Sequence, residues 1–255
     1  MKRLLNTLIL TLVLSFALIS RQSTPALASS KSISLSKLNA TRTRIMHATE
    51  ILDDQFTESI ARNNYSENQM KNFIHNKLKD SLPQRYQSRG LKISESLISQ
   101  ANLYNMDPLF IVALIENESQ FNPQALGRHG EQGLMQIKPS TAKWIAKKYK
   151  LAWGKQYSLY NPIQNLKFGV AYLDYLRKKF NGSGQFYVEA YNMGPQRMNA
   201  AIKRHIVRKT YQHQIQSHYL VLYEEIEKTC LENRNLERHP RLAKMRAKIK
   251  QFFWA

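Results

Sequence analysis

The chain is poor in residues that staple a fold or hold a metal. It has one cysteine, Cys230, in 255 residues. No intrachain disulfide can form, and no cysteine-based metal cluster is available. Its seven histidines show no ligand spacing. His213 and His218 stand five apart, off a common helix face, and read as surface residues. Neither a metal nor a cofactor is expected. Acidic residues are scarce as well, with 18 Asp and Glu against 38 Lys and Arg, a formal charge of +20. Such an imbalance speaks to partners rather than to fold. Beyond residues 4–19, no apolar run approaches the ~20 residues that a membrane span requires.

The first 28 residues read as a secretory signal peptide. Lys2 and Arg3 form a basic start, residues 4–19 an apolar stretch, and Ala26-Leu27-Ala28 a small-x-small cleavage pattern. With no cysteine near that point, a lipoprotein is not expected. The expected location is the periplasm or cell envelope. Export argues against nucleic acid as the target of the positive charge and favours anionic cell-wall glycopeptide or lipid headgroups.

Residues 29–42 are Ser-rich and polar, a linker. Ile45, Ala48, Leu52, Phe56 and Ile60 recur at helical spacing, which predicts a helix over 43–62. Ser66 and Gln69 fit a capping box for a second helix with Met70, Phe73, Ile74 and Leu78 on one face. This helical N-terminal extension, 29–90, reads either as packing for the helices downstream or as a partner-binding or glycan-positioning module.

The centre of the chain is residues 108–137. Residues 108–115 are apolar on every face, so a helix there must be buried all round. Asp107-Pro108 supplies an N-cap and a proline at the first helical position, and Pro123 stops the helix. Glu118 then lies in the last turn of a buried helix. Burial raises a carboxyl's pKa and makes it a candidate proton donor. Three glycines come next, Gly127, Gly130 and Gly133, in a loop whose backbone can approach a ligand closely. Without a preceding strand or a Gly-Lys-Ser/Thr ending, it is not a phosphate loop. Further helices are predicted from Pro139, from Asn161-Pro162 through Leu176, and over 186–193, ending at Gly194-Pro195. Only short hairpin-like pieces near 127–136 suggest any strand. The tail from 203 is helical and basic. Tyr211, Ile215 and Tyr219 share a face, and 234–255 carries seven Lys/Arg against one Glu. That last stretch, with Leu242, Met245, Ile249 and Phe252 on one side, suits either an anionic membrane surface or docking on the domain.

Glu118-Ser119, Phe121-Asn122-Pro123, Gly133-Leu134-Met135-Gln136, Pro139-Ser140-Thr141-Ala142, residues 165–173 (NLKFGVAYL) and Ala190-Tyr191-Asn192-Met193-Gly194 occur in this order. Together they closely resemble the lytic transglycosylases of the soluble-lytic-transglycosylase (SLT) type. The resemblance covers roughly residues 95–220. It implies a mainly α, lysozyme-like catalytic domain, nearest to goose-type lysozyme, over 91–225. The extension lies before it and the basic tail, 226–255, after it. The implied substrate is peptidoglycan. Two departures stand out: Gly127 where the family often has Ser, and Glu131 where it often has Ala.

Glycoside cleavage usually employs two carboxylates. Glu116 lies about 200° round the helix from Glu118, so the two cannot share a cleft, and spacing does not place Glu131. The resemblance implies a design with one carboxylate, in which Glu118 serves as acid and then as base. It also implies that Ser119 positions the substrate N-acetyl group or Glu118, and that Tyr191 hydrogen-bonds Glu118. Met135 and Gln136 would line the glycan groove, Asn192 would brace the groove or the fold, and Tyr211 would be the family's trailing tyrosine. The expected reaction cleaves the β-1,4 bond between N-acetylmuramic acid and N-acetylglucosamine and leaves a 1,6-anhydromuramyl product. A goose-type muramidase and a non-catalytic peptidoglycan-binding component of an envelope machine are the alternatives.

Overall fold

The structure is a computed structural model that describes residues 41–238. The expected signal peptide, and the apolar stripe of the tail from Leu242 onward, lie outside the described residues. Among those described, the fold is mainly α, with no strand beyond isolated bridges. No described helix is long and apolar enough to cross a membrane.

The expected first helix is shorter than its apolar spacing suggests. Helix α1 covers 41–52 and ends at Asp53, whose φ is +50°. Short 3-10 turns come after it at Asp53–Phe56 and Ile60–Arg62. Just before the end of α1, the backbone of Glu50 lies directly against Gly184, where a Cβ would sit 2.0 Å from the Glu50 carbonyl oxygen. Helix α2, Glu67–Ser81, has the full capping box between Ser66 and Gln69 and buries Met70, Phe73, Ile74 and Leu78, as expected. Helix α3, Gly90–Leu103, buries Ile93, Leu97 and Ala101.

Helix α4, Pro108–Ser119, is the axis of the molecule. Asp107 caps it by accepting from the N–H of Leu109, and every residue from Pro108 to Ile115 is buried. Burying each Leu, Ile, Val or Phe side chain stabilises the fold by about 1.5–3 kcal/mol, so this run dominates the core. The helix stops before Pro123. Gln120 and Phe121 take left-handed conformations, φ +49° and +60°, which break the helix two residues past Glu118. Left-handed non-glycine residues cost free energy and persist where the surroundings hold them; Phe121 is held by burial.

Five more helices follow α4. They are α5, Pro139–Lys148; α6, Pro162–Lys179; α7, Gly184–Met193; α8, Pro195–Lys203; and α9, Thr210–Arg238. Helix α6 is capped by Asn161, which accepts from the N–H groups of Ile163 and Gln164. Helix α9 packs most extensively on α4 and also touches α7 and α2.

The N-terminal extension, where described, is part of the same core. Arg177 on α6 forms a two-pronged ion pair with Glu50 on α1, at 2.6 and 2.5 Å. Gln216 on α9 donates to the carbonyl of Ile51 at 2.6 Å. His47 on α1 is fully buried and accepts the backbone N–H of Asp107 on Nδ1, at 3.2 Å. Its proton therefore sits on Nε2, 3.0 Å from the Tyr187 hydroxyl. Burial, reinforced by nearby Arg177, holds this imidazole neutral, well below its ordinary pKa. Residues 41–90 thus share one core with the helices downstream.

Candidate active site

Glu118 closes the last turn of α4, and α9 passes beside it. The Tyr211 hydroxyl donates to Glu118 Oε1. Burial raises the Glu118 pKa to about 7. The Tyr211 hydrogen bond opposes the rise, and the negative charge of Glu131 adds to it. Tyr211 is itself 7% exposed. Burial and the neighbouring carboxylate push its phenol well above its usual pKa, so it remains a proton donor.

A buried carboxylate fixes the start of α9. Glu189, on α7 and 3% exposed, accepts the backbone N–H of Gln212 at 2.9 Å. It occupies a free donor in the first turn of the helix that carries Tyr211, and a negative charge there also suits the helix dipole. Sequence reading missed Glu189; the only signal was an acid two residues before Tyr191.

The loop after α4 forms one wall of the site. Antiparallel bridges join Leu126 to Gln132 and Gln132 to Ile137, the hairpin-like pieces expected there. Ser119 ties this loop to α4, its hydroxyl donating to the carbonyl of Leu134 at 2.8 Å and to that of Ile115 at 3.2 Å. Asn165, fully buried on α6, clamps it from the other side. Its amide donates to the carbonyls of Gln132 and Leu159, at 2.7 and 2.9 Å, and its oxygen accepts the N–H of Met135 at 2.7 Å. Gly133, with φ +76°, lets the loop pass over Leu159, whose carbonyl oxygen would lie 2.2 Å from any Cβ.

Several expected roles change in this geometry. Tyr191 does not bond Glu118. Its hydroxyl donates to the carbonyl of Met135 at 2.7 Å, and Tyr211 takes the place beside the acid. Met135 lines no open groove: it has no exposed surface, and its sulfur lies where a Cβ on Gly169 would come within 2.4 Å. The Ser119 hydroxyl is committed to backbone and is not free for a ligand. Gln136, partly exposed with φ +46°, donates to the carbonyls of Gly133 and Ala125 at 2.9 and 3.2 Å. Asn192 is exposed beside buried Tyr191.

Glu116 and Glu131 also find their places. Glu116 faces His218, 3.7 Å away on α9, and turns from the Glu118 side. Glu131 accepts the backbone N–H of His129 at 2.9 Å and pairs with Lys138 at 3.3 Å. Partial burial would raise its pKa, but these hydrogen bonds and Lys138 outweigh that and lower it. Its carboxylate rests over Gly127, where a Cβ would meet it at 2.4 Å. The two departures from the family pattern therefore accommodate each other. Among the described residues, no group of three or more His, Cys, Asp or Glu is arranged to hold a metal.

Residues 95–214 match the family model described as the Transglycosylase SLT domain. The soluble lytic murein transglycosylase of Escherichia coli K12 is 33% identical over 90 residues, which is 35% of this chain and 14% of that protein. The membrane-bound lytic murein transglycosylase E of Buchnera aphidicola is 36% identical over 91 residues, 34% of this chain and 40% of that protein. The chain thus spans well under half the length of these relatives. A solved structure of the Pseudomonas aeruginosa lytic transglycosylase Slt, as an inactive mutant, aligns with a TM-score of 0.48 at 25% identity, over 52% of this chain and 24% of that one. The SLT domain match takes in Glu118, the loop, Asn165, Tyr191 and Tyr211. It leaves out α1 and α2, which nevertheless share the domain's core.

Proposed function

We propose that this protein is a peptidoglycan lytic transglycosylase, cleaving the β-1,4 bond between N-acetylmuramic acid and N-acetylglucosamine and forming a 1,6-anhydromuramyl end. The observation that carries the reading is Glu118, a carboxyl with a pKa of about 7 at the end of a buried helix within an SLT domain. A group poised near neutral pH can give up a proton and take one back in the same cycle. Protonated Glu118 donates to the glycosidic oxygen as the bond to the muramic anomeric carbon breaks. The substrate's N-acetyl group shares the charge at that carbon. Glu118, now a carboxylate, removes the proton from the 6-hydroxyl of the same sugar, whose oxygen closes onto the anomeric carbon. No water is consumed, and Glu118 ends protonated as it began.

The surroundings support a single-carboxylate mechanism. Glu116 faces away, and Glu131 is held by Lys138 and a backbone N–H. Tyr211 orients Glu118. Ser119 and Tyr191 act at one remove by fixing the loop on α4, and Gln136 and Asn192 are the side chains placed to meet the glycan. Export through residues 1–28 and work in the cell envelope belong to the same proposal, as does an anionic membrane surface for the basic tail.

The test is mass spectrometry of products from purified sacculi incubated with the protein and with Glu118→Gln. Muropeptides one water lighter than hydrolytic products, absent with the variant, are the expected result. Full-mass reducing ends would make the protein a muramidase. Equal release by the variant would remove Glu118 from its role, and no release by either would leave a glycan-binding protein.

A further inference from the structure

A row of aromatic rings leads away from the Glu118 site over α6 and α5. The ring of Tyr191 lies 5.4 Å from that of Tyr172. Tyr172 is followed by Tyr175 at 6.3 Å, their planes 18° apart. Tyr175 meets Trp144 edge-on at 4.6 Å. Exposure rises along the row, from 8% at Tyr191 and 9% at Tyr172, through half-buried Tyr175, to 44% at Trp144. Lys148 places its Nζ 5.3 Å from the Tyr175 ring and 5.7 Å from the Trp144 ring. Packing of α5 does not call for this arrangement. That helix already buries Ala142, Ile145 and Ala146 on its other side. Trp144 and Lys148 are one turn apart on α5, and Tyr172 and Tyr175 are one turn apart on α6, so the contact of α5 with α6 assembles the four.

We propose that Trp144, Tyr175 and Lys148 form an outer binding subsite for the glycan strand, continuous with the Glu118 site through Tyr172 and Tyr191. The inference rests on the peptidoglycan reading above. A pyranose ring has an apolar C–H face that stacks on an aromatic ring, and a large aromatic contributes apolar area at little entropic cost. An ammonium beside the rings suits a carboxylate of the strand, either that of a muramic acid without a stem or those carried by a peptide stem. Exposed Lys143 and Lys147 on the same helix add to the positive charge. The occupant is the strand already held at Glu118, because ring contacts through buried Tyr191 and Tyr172 connect the exposed Trp144 end to that site, and each step is comparable to the span of a sugar ring. The subsite makes strand length a determinant of affinity.

The test uses the full chain carrying Glu118→Gln, so that binding is read without turnover. Dissociation constants are measured by calorimetry for isolated long glycan strands and for a tetrasaccharide of the same composition. Adding Trp144→Ala is expected to weaken binding of long strands by about 3- to 10-fold, the scale of one lost aromatic contact, with a smaller loss on the tetrasaccharide. Trp144→Phe is expected to recover most of the affinity, and Lys148→Gln to produce a loss that shrinks with added salt. A thermal melt of each variant checks the fold; Trp144 is exposed enough that the melts should coincide. Equal constants for Trp144→Ala and its parent would overturn the proposal. So would a loss equal on both lengths, or a parent that binds no strand. Failure of the lytic reading is seen elsewhere, in the wild-type products: reducing ends at full mass would leave the strand-length result standing.

Discussion

Helix α4 has a carboxyl at each end, Asp107 buried and Glu118 half-buried, and α9 brings tyrosine to both. At the N-terminal end, Asp107 is fully buried and accepts from the Leu109 N–H, from the Tyr219 hydroxyl at 2.5 Å, and from the Tyr223 hydroxyl. Arg44 on α1 donates to that Tyr223 hydroxyl, and to the carbonyls of Ala61 and Asn63, all at 2.7 Å. At the C-terminal end, Glu118 has Tyr211 and a partly open side. Burial raises the pKa of both carboxyls. They differ in how completely the acceptor oxygens are used and whether a ligand can reach them. Asp107 is saturated and sealed, which makes it a structural joint between α1, α4 and α9. Glu118 keeps one donor and a partly exposed side. One helix face, with Tyr211, Tyr219 and Tyr223 at turn spacing, serves both ends because α9 runs antiparallel along α4.

The sharpest way to separate the ends is to remove the carboxylate from each in turn. Glu118→Gln should reduce release of muropeptides from sacculi by about 10³-fold or more, the scale of removing a general acid–base, and should leave the fold intact. Its effect on stability should have the opposite sign. A carboxyl whose folded pKa lies above its unfolded value contributes stability that is fully present below about 4.5 and lost as pH rises through about 7. The variant should therefore gain on the wild type between pH 5 and 8, by about 1–3 kcal/mol at the upper end. Denaturant melts at the two pH values read this directly, and a variant less stable at pH 8 would contradict the burial argument.

Asp107→Ala should cost about 3–5 kcal/mol, the penalty for leaving a buried charged partner uncompensated, here Arg44 together with two phenols. Urea melts measure the loss. A loss below about 1 kcal/mol would mean that water reaches the joint and that the two ends are less different than their burial implies.

These two ends were unequally legible in the sequence. The bounds of α4 follow from Asp107-Pro108 and an unbroken apolar run, because capping and burial act locally. The place of Glu118 follows from the same run. The assignment of the tyrosines does not. Tyr191 lies in the recognised Ala-Tyr-Asn block, yet its phenol is taken by the carbonyl of Met135, and only the crossing of α9 over α4 delivers Tyr211 to the acid. Met135 was misjudged for a related reason. A helix or strand has a period that tells inside from outside, whereas the 125–137 loop has none, and the space opened by Gly169 on another element decides which way the sulfur points. The first helix was overextended because Phe56 and Ile60 keep helical spacing through turns that are not α-helical. The polar joint of Arg44, His47 and Asp107 draws on residues 60 or more apart and left no local pattern to read.

Tyr211→Phe keeps the ring and removes the donor. The Tyr211 bond lowers the Glu118 pKa, so its loss should move the alkaline limb of the pH–kcat/KM profile upward. It should also reduce kcat by about 10-fold, the lower end of what one positioned hydrogen bond supplies to a transition state. Tyr191→Phe tests the corrected assignment. It should lower activity through the loop without an upward shift of that limb.

The smallest effect expected is that of Glu131→Gln. Glu131 acts on Glu118 through its negative charge, which raises the Glu118 pKa. Removing the charge while keeping the shape should make Glu118 easier to ionise and move the alkaline limb downward, opposite to Tyr211→Phe. Because Glu131 is only partly buried and already paired with Lys138, the shift should be the weaker of the two and should fade with added salt. A matched pair of profiles at low and high ionic strength reads it. An upward shift would mean that losing the carboxylate had loosened the His129 and Lys138 contacts and rearranged the loop, making Glu131 a structural part of the wall and its charge on Glu118 incidental.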